Sequence, residues 1–185
     1  MKLIKKILVV LLVFIAIIIG IYAYFGGFNK IEFKEVEIGE EVVVYREMIG
    51  SYNKSGDLMK LVCEELEKDY GVDASIGIGI YYDNPDMVEA EKLRSEIGSI
   101  IITDDNNKIE ELKKVFSVKT LPKQEYLSVE LPLKGFFSIM IGAFKVYPQI
   151  EEYLNENGYS NKVPIMEIYD NKKNIITYRT ILVKQ

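Results

Sequence analysis

Apolar residues follow three patterns along this chain. The first is continuous: Ile7 to Phe25 is a run of 19 residues with no charged side chain. As a helix it spans roughly 28 Å, close to the hydrocarbon thickness of a bilayer. The second alternates with a period of two. Val42, Val44 and Arg46 interleave with Val43, Tyr45 and Glu47 up to Gly50, which predicts a strand. The third has helical spacing: Leu58, Leu61, Val62 and Leu66 share one face between Asn53 and Tyr70, with Gly71 placed to end the helix. Ser75 to Tyr82 and Arg94 to Thr103 predict two more strands, separated by the breaker Asp83–Asn84–Pro85.

The patterned part is written twice. Ile80–Tyr81–Tyr82–Asp83–Asn84 recurs in outline as Glu167–Ile168–Tyr169–Asp170–Asn171, an offset of 87, and Gly71 matches Gly158 at the same offset. Leu93–Arg94–Ser95 pairs with Tyr178–Arg179–Thr180 at an offset of 85. The second copy reads as a strand over Glu125 to Leu131, a helix near Phe137 to Asn157, and strands over Ile165 to Asp170 and Ile175 to Val183. The fold class is therefore α+β, a duplicated β-α-β-β unit with an antiparallel sheet, preceded by a single transmembrane helix. Pro148, inside the second helical pattern, should kink that helix or start a new segment. Asn107 to Val115 reads as a short polar helix inserted between the copies as a surface connector. Ile31 to Glu37 alternates apolar with charged and predicts an extra edge strand ahead of the first copy.

The flanks of the apolar run decide how it is used. Tyr22, Tyr24 and Phe25 stand at its far end, where aromatic residues favour the lipid–water boundary. A cleaved signal peptide is the competing reading, but the run is long for one and Ile21–Tyr22–Ala23 is a poor cleavage site. Residues 1–28 are thus expected to be an N-terminal membrane anchor and 29–185 the domain it carries. Lys2, Lys5 and Lys6 precede the span and Lys30 and Lys34 follow it. This slight bias favours a cytoplasmic N-terminus and an extracytoplasmic domain, in a bacterial cell membrane or an ER membrane.

Charge and composition narrow the chemistry. All 28 acidic residues lie after the span, against 20 Lys and Arg, so the domain carries −8. An acidic domain argues against nucleic acid as a partner. The chain has no histidine and a single cysteine, Cys63, which removes the commonest metal ligand and the His-based nucleophilic dyads. No metal or cofactor is expected. Cys63, Phe136, Phe137 and Phe144 read as core, and Arg94 and Arg179 as surface or strand-end ion pairs.

Short motifs carry a family resemblance. Tyr45–Arg46–Glu47–Met48–Ile49–Gly50–Ser51–Tyr52, Ile80–Tyr81–Tyr82–Asp83–Asn84–Pro85, Lys134–Gly135 and Met166–Glu167–Ile168–Tyr169 resemble the GyrI-like domain. That domain is the effector-binding part of bacterial multidrug-responsive activators and occurs in gyrase-inhibitory proteins. The resemblance implies two SHS2 modules, in agreement with the repeat, over about Val42 to Val183. The layout of a membrane span followed by this domain is also similar to the testis-expressed ER-phagy receptor family, as are Tyr81 to Val88, Tyr147–Pro148 and Glu167–Ile168–Tyr169. Those receptors act through a long C-terminal tail that binds autophagy modifiers; here the sequence ends at Gln185, directly after the last predicted strand.

Glu167 is the leading site candidate, an acid inside an apolar strand. Alternation places Ile165, Glu167 and Tyr169 on one face. A carboxylate among Ile and Tyr favours a cation, and aromatic rings add cation–π attraction. By resemblance, Glu167 matches the acid that receives cationic, aromatic ligands in drug-sensing GyrI-like domains. Tyr45, Tyr81, Tyr82 and Tyr169 are candidate walls of the same groove, although alternation prevents Tyr81 and Tyr82 from both facing it. The expected function is binding of a small apolar or cationic ligand in the cleft between the two repeats. A membrane adaptor with a protein partner, and a hydrolase using Glu167 as general base, are the alternatives.

Overall fold

The computed structural model describes residues 2–103 and 105–185. Helix α1 (Lys2–Tyr24) leads into strands β1 (Lys34–Ile38) and β2 (Glu41–Ile49), helix α2 (Ser55–Lys68) and strands β3 (Ile76–Tyr81) and β4 (Arg94–Ile101). Helix α3 (Asn106–Leu112) and strands β5 (Ser117–Leu121) and β6 (Gln124–Pro132) follow, then helix α4 (Phe136–Glu156) and strands β7 (Ile165–Asp170) and β8 (Ile175–Ile181). All eight strands form one antiparallel sheet in the order β1-β6-β8-β7-β3-β4-β2-β5.

The duplication is visible in that order. Outward from the central β3–β7 pair, one half runs β3-β4-β2-β5 and the other β7-β8-β6-β1. Gly71 and Gly158 close the two long helices of the domain with φ of +65° and +71°, a left-handed conformation that costs glycine least. The edge strands exchange roles. β1 precedes the first copy, as expected, but pairs with β6 of the second. β5, which the pattern did not reveal, pairs with β2 of the first.

Chain connectivity forces the sheet to curl. β1 and β2 stand first and seventh in the order yet are linked only by Gly39 and Glu40. In a flat sheet they would lie about 29 Å apart, whereas three Cα steps reach about 11 Å. Pro122 and Lys123 tie β5 to β6 in the same way. The concave interior of the curl holds Val43, Ile78, Ile80, Ile100, Tyr126, Met166 and Ile168. Helices cover the outer face: α2 packs Val62 and Leu66 with Val44 and Ile101, and α4 packs Val146, Ile150 and Leu154 with Ile176 and Tyr178.

Several expectations need correcting. Ile80 and Glu167, matched in sequence, face opposite sides, because Ile80 points into the curl and Glu167 toward the helices; Tyr81 and Tyr169 share a face instead. α4 continues through Pro148. The carbonyl that Pro148 deprives of a partner belongs to Phe144, whose residue is 84% exposed, and water can satisfy it. α3 is more than a surface connector, since its Leu112 is fully buried beside Phe116 under α2. Phe136, Phe137 and Phe144 are exposed rather than core. Arg94 is a strand-end ion pair with Asp83 at 2.8 Å, but Arg179 is buried inside the curl, where it pairs with Glu41 across strands that are not neighbours. Among the described residues one helix, α1, is long and apolar enough to cross a membrane, and none of its residues is buried in protein.

Candidate functional site

Glu167 lies in the middle of β7, opposite Gly79 of β3, where the two halves of the sheet meet. Strand alternation turns its side chain to the helix-covered face, where it is only 5% exposed. Tyr147, carried by α4, donates its hydroxyl to Glu167 Oε1 at 2.7 Å. Tyr169, two residues along the same strand, donates to Oε2. Tyr81 brings a third phenol toward the carboxylate from β3 and also donates to Ser55 Oγ at 3.1 Å. Ser55, the first residue of α2, donates onward to the Tyr52 carbonyl at 2.8 Å. Tyr52 and Tyr81 meet edge to face at 4.8 Å, and Tyr147 and Tyr178 at 6.2 Å.

Small residues make room for these rings. A Cβ on Gly79 would come within 2.7 Å of the Tyr81 hydroxyl. On Gly142 of α4 it would come within 2.5 Å of the Tyr178 hydroxyl, which donates to the Ile139 carbonyl at 3.1 Å. Burial pushes the Glu167 carboxyl above the ordinary carboxylate range, and the hydrogen bonds from Tyr169 and Tyr147, with the nearby Tyr81 phenol, offset part of that rise. Tyr147 and Tyr169 are pushed up in turn, first by burial and then by the neighbouring Glu167 charge. Among the described residues, Glu167 has no salt-bridge partner. The site is thus a desolvated carboxyl held by phenols, an arrangement able to accept a proton or a cation.

Residues 31–182 match the model of the GyrI-like small molecule binding domain. The chain belongs to the GyrI-like family. The GyrI-like chain is also 29% identical over 137 residues to the testis-expressed protein 264 homolog of Mus musculus, covering 71% of this chain and 42% of the relative. Against testis-expressed protein 264 of Homo sapiens it is 29% identical over 133 residues, covering 69% and 40%. The chain therefore spans about two fifths of the length of these curated relatives. Its fold is similar to that of the EcmrR C-terminal domain, with a TM-score of 0.61 at 14% identity over 84% of this chain and 99% of that one. It is also similar to SAV2435 in a structure bound to tetraphenylphosphonium, with a TM-score of 0.54 at 15% identity over 83% and 94%.

Within this GyrI-like domain, three of the five residues singled out in the sequence come together: Glu167, Tyr169 and Tyr81. Tyr45 and Tyr82 do not join them. They lie toward the interior of the curl, where Lys119 Nζ sits 5.0 Å above the Tyr45 ring and 3.3 Å from the Tyr82 hydroxyl and pairs with Glu96. The sequence reading missed Tyr147, Tyr178 and Ser55 as members of the cage. Gly142 was the available signal, since a glycine amid bulky apolar residues of one helix marks a large side chain opposite. Nor does Glu167 open into the main concavity. A groove of about 690 Å³ lies on the other face, lined by Arg179, Glu41, Ile76, Ile100, Ile168 and Lys34 among others. Among the described residues, no cluster of three or more His, Cys, Asp or Glu could hold a metal ion.

Proposed function

We propose that this GyrI-like domain receives an apolar cation at Glu167, between the two halves of the sheet, and that α1 tethers the domain to a membrane. The observation that carries the reading is a buried carboxyl with phenol donors and no basic partner among the described residues. A buried acid of this kind gains most from a charge that arrives with its own apolar body, because the ion pair then forms without exposing either group to water. The rings of Tyr81, Tyr147, Tyr169 and Tyr178 add cation–π attraction. Because the Tyr147 hydroxyl occupies one carboxylate oxygen, an incoming cation takes the place of that hydroxyl, and the first half of α4 is the gate. The similarity of fold to SAV2435, solved with tetraphenylphosphonium, supports this class of ligand.

Calorimetric titration of the full chain in detergent with tetraphenylphosphonium tests the reading. Glu167→Gln should weaken binding by about tenfold or more, since loss of a buried charge pair exceeds about 1.4 kcal/mol. Tyr82→Phe, on the other side of the sheet, should bind as the natural chain does. Equal affinity in Glu167→Gln would sink the proposal. The charge bias around α1 favours a domain outside the cytoplasm, and protease protection in sealed vesicles reads that orientation directly.

A further inference from the structure

The first half of α4 turns an apolar outer face largely to the exterior among the described residues, with only the end of α1 and its linker against it. Phe136, Phe137, Met140 and Phe144 are 70%, 58%, 52% and 84% exposed, and from Phe136 to Tyr147 the helix carries one charge, Lys145. After Pro148 the character of the same helix changes: Glu151, Glu152 and Glu156 are exposed there. A soluble helix normally turns polar side chains outward along its whole length. Here the outward face is aromatic for three turns and acidic beyond.

That apolar stretch lies beside the end of α1. The Phe25 ring meets the Phe137 ring at 5.5 Å, and Tyr22 meets the exposed Phe28 edge to face at 5.2 Å. Lys134, just ahead of α4, donates to the Tyr24 carbonyl at 2.9 Å and stands 4.7 Å from the Tyr24 ring. Lys145 donates to the Gly27 carbonyl at 2.9 Å and to that of Asn29. Two lysines thus hold the polar backbone of the linker against α4, and Tyr24, Phe25, Phe137 and Phe136 form one chain of aromatic contacts from the end of α1 onto that helix.

We infer that the exposed aromatic face of α4 rests on the lipid surface next to α1, so that the domain docks on the bilayer instead of hanging from a free linker. The inference rests on the reading of α1 as a membrane span. Aromatic rings and lysines at that level match the chemistry of a membrane interface, and a helix with one apolar face beds into the boundary between headgroups and acyl chains. Because Tyr147 of this helix covers Glu167, docking also puts the gate of the candidate site at the depth where lipophilic cations concentrate.

The chain contains no tryptophan, so a single introduced indole reports its own surroundings. Phe144→Trp and Phe136→Trp alter exposed positions, and Met87→Trp, 83% exposed on the loop after β3, is the reference. Each full-length variant is reconstituted in vesicles of phosphatidylcholine or of its brominated analogue, and flotation first establishes that α1 has inserted. The expected result is a blue-shifted emission that falls several-fold in brominated lipid for both α4 variants, with no loss for Met87→Trp. Emission from the α4 variants that matches Met87→Trp in position and quenching, in protein that floats, overturns the docking while leaving the anchor intact. An indole shielded from aqueous acrylamide but untouched by bromine also overturns it, since protein would then cover the face. Failure to float removes both readings together.

Discussion

A carboxyl buried among phenols has two ways to lower its energy: hold a proton or meet a cation. Burial raises the Glu167 pKa in the folded protein, so the folded state holds that proton more tightly than the unfolded chain does. The stability tied to Glu167 is therefore full below the ordinary carboxylate range and is lost as pH rises through the raised value. Glu167→Gln should flatten this slope and raise the melting temperature at neutral pH, which a pH series of thermal melts would show. Cation affinity runs the other way and should rise with pH through the same window. An affinity independent of pH there would mean that the ligand does not meet this carboxyl. Arg179 poses the opposite problem. Its side chain is 3% exposed, Glu41 is its ion-pair partner, and its Nε has no acceptor among the described residues. Glu41→Gln should cost about 3–5 kcal/mol in chemical denaturation, and Glu41→Gln with Arg179→Met should recover much of it. Arg94 and Arg179 match in sequence and even in the side of the sheet they face, yet only Arg179 is enclosed. The neighbours that enclose it, Glu41 and Tyr126, come from distant stretches of chain.

At the level of elements, α4 does three things with three faces. Ser138, Gly142, Val146, Ile150 and Leu154 turn toward the sheet, Tyr147 reaches Glu167, and the phenylalanines turn outward. Gly142 sets how closely the helix can lie over Tyr178. Gly142→Val should push α4 off the sheet at a cost of about 1–3 kcal/mol, read as a lower melting temperature and weaker quenching of exchange in the Phe136–Tyr147 amides. A melting temperature unchanged by this variant would mean that Tyr178 moves aside freely. Helical spacing was enough to place α2 and α4 to within two residues, because the pattern belongs to the element itself. It could not separate the sheet-facing apolar residues of α4 from its outward ones. Leu61 is a similar case: grouped with the core face of α2 by spacing, it is 55% exposed.

For the molecule as a whole, closure of the curl depends on β1. This strand covers the β6 edge, and its two-residue link to β2 draws the ends of the sheet together. A chain starting at Phe28 should remain folded and monomeric in solution once α1 is gone, apart from association through the exposed α4 face that added detergent reverses. A chain starting at Glu41 should lose several kcal/mol, on the order of a buried strand's packing, and aggregate through the bared β6 edge. Size-exclusion chromatography and denaturation of the two truncated forms would tell them apart, and equal behaviour would show that the curl holds without β1.

The periods of the hydrophobic pattern are properties of neighbouring residues, so the sequence by itself determined the apolar span, the duplicated unit, seven of the eight strands and an acid in an apolar strand. The repeat also marked Tyr81 and Tyr169, but paired Tyr169 with the wrong tyrosine of the first copy, because a shift of one residue in a strand reverses its face. β5 escaped notice since Ser117–Val118–Lys119–Thr120–Leu121 is short and weakly apolar, and its strand character comes from pairing with β2. Tertiary structure alone decided which face each strand presents, that Tyr147 closes over Glu167, and that Tyr45 and Tyr82 stand on the other side. It also decided that Arg179 is enclosed by a curl and that four apolar side chains of α4 remain outside. Each of these depends on contacts between residues tens of positions apart, set by where short links pull the sheet and not by any local period.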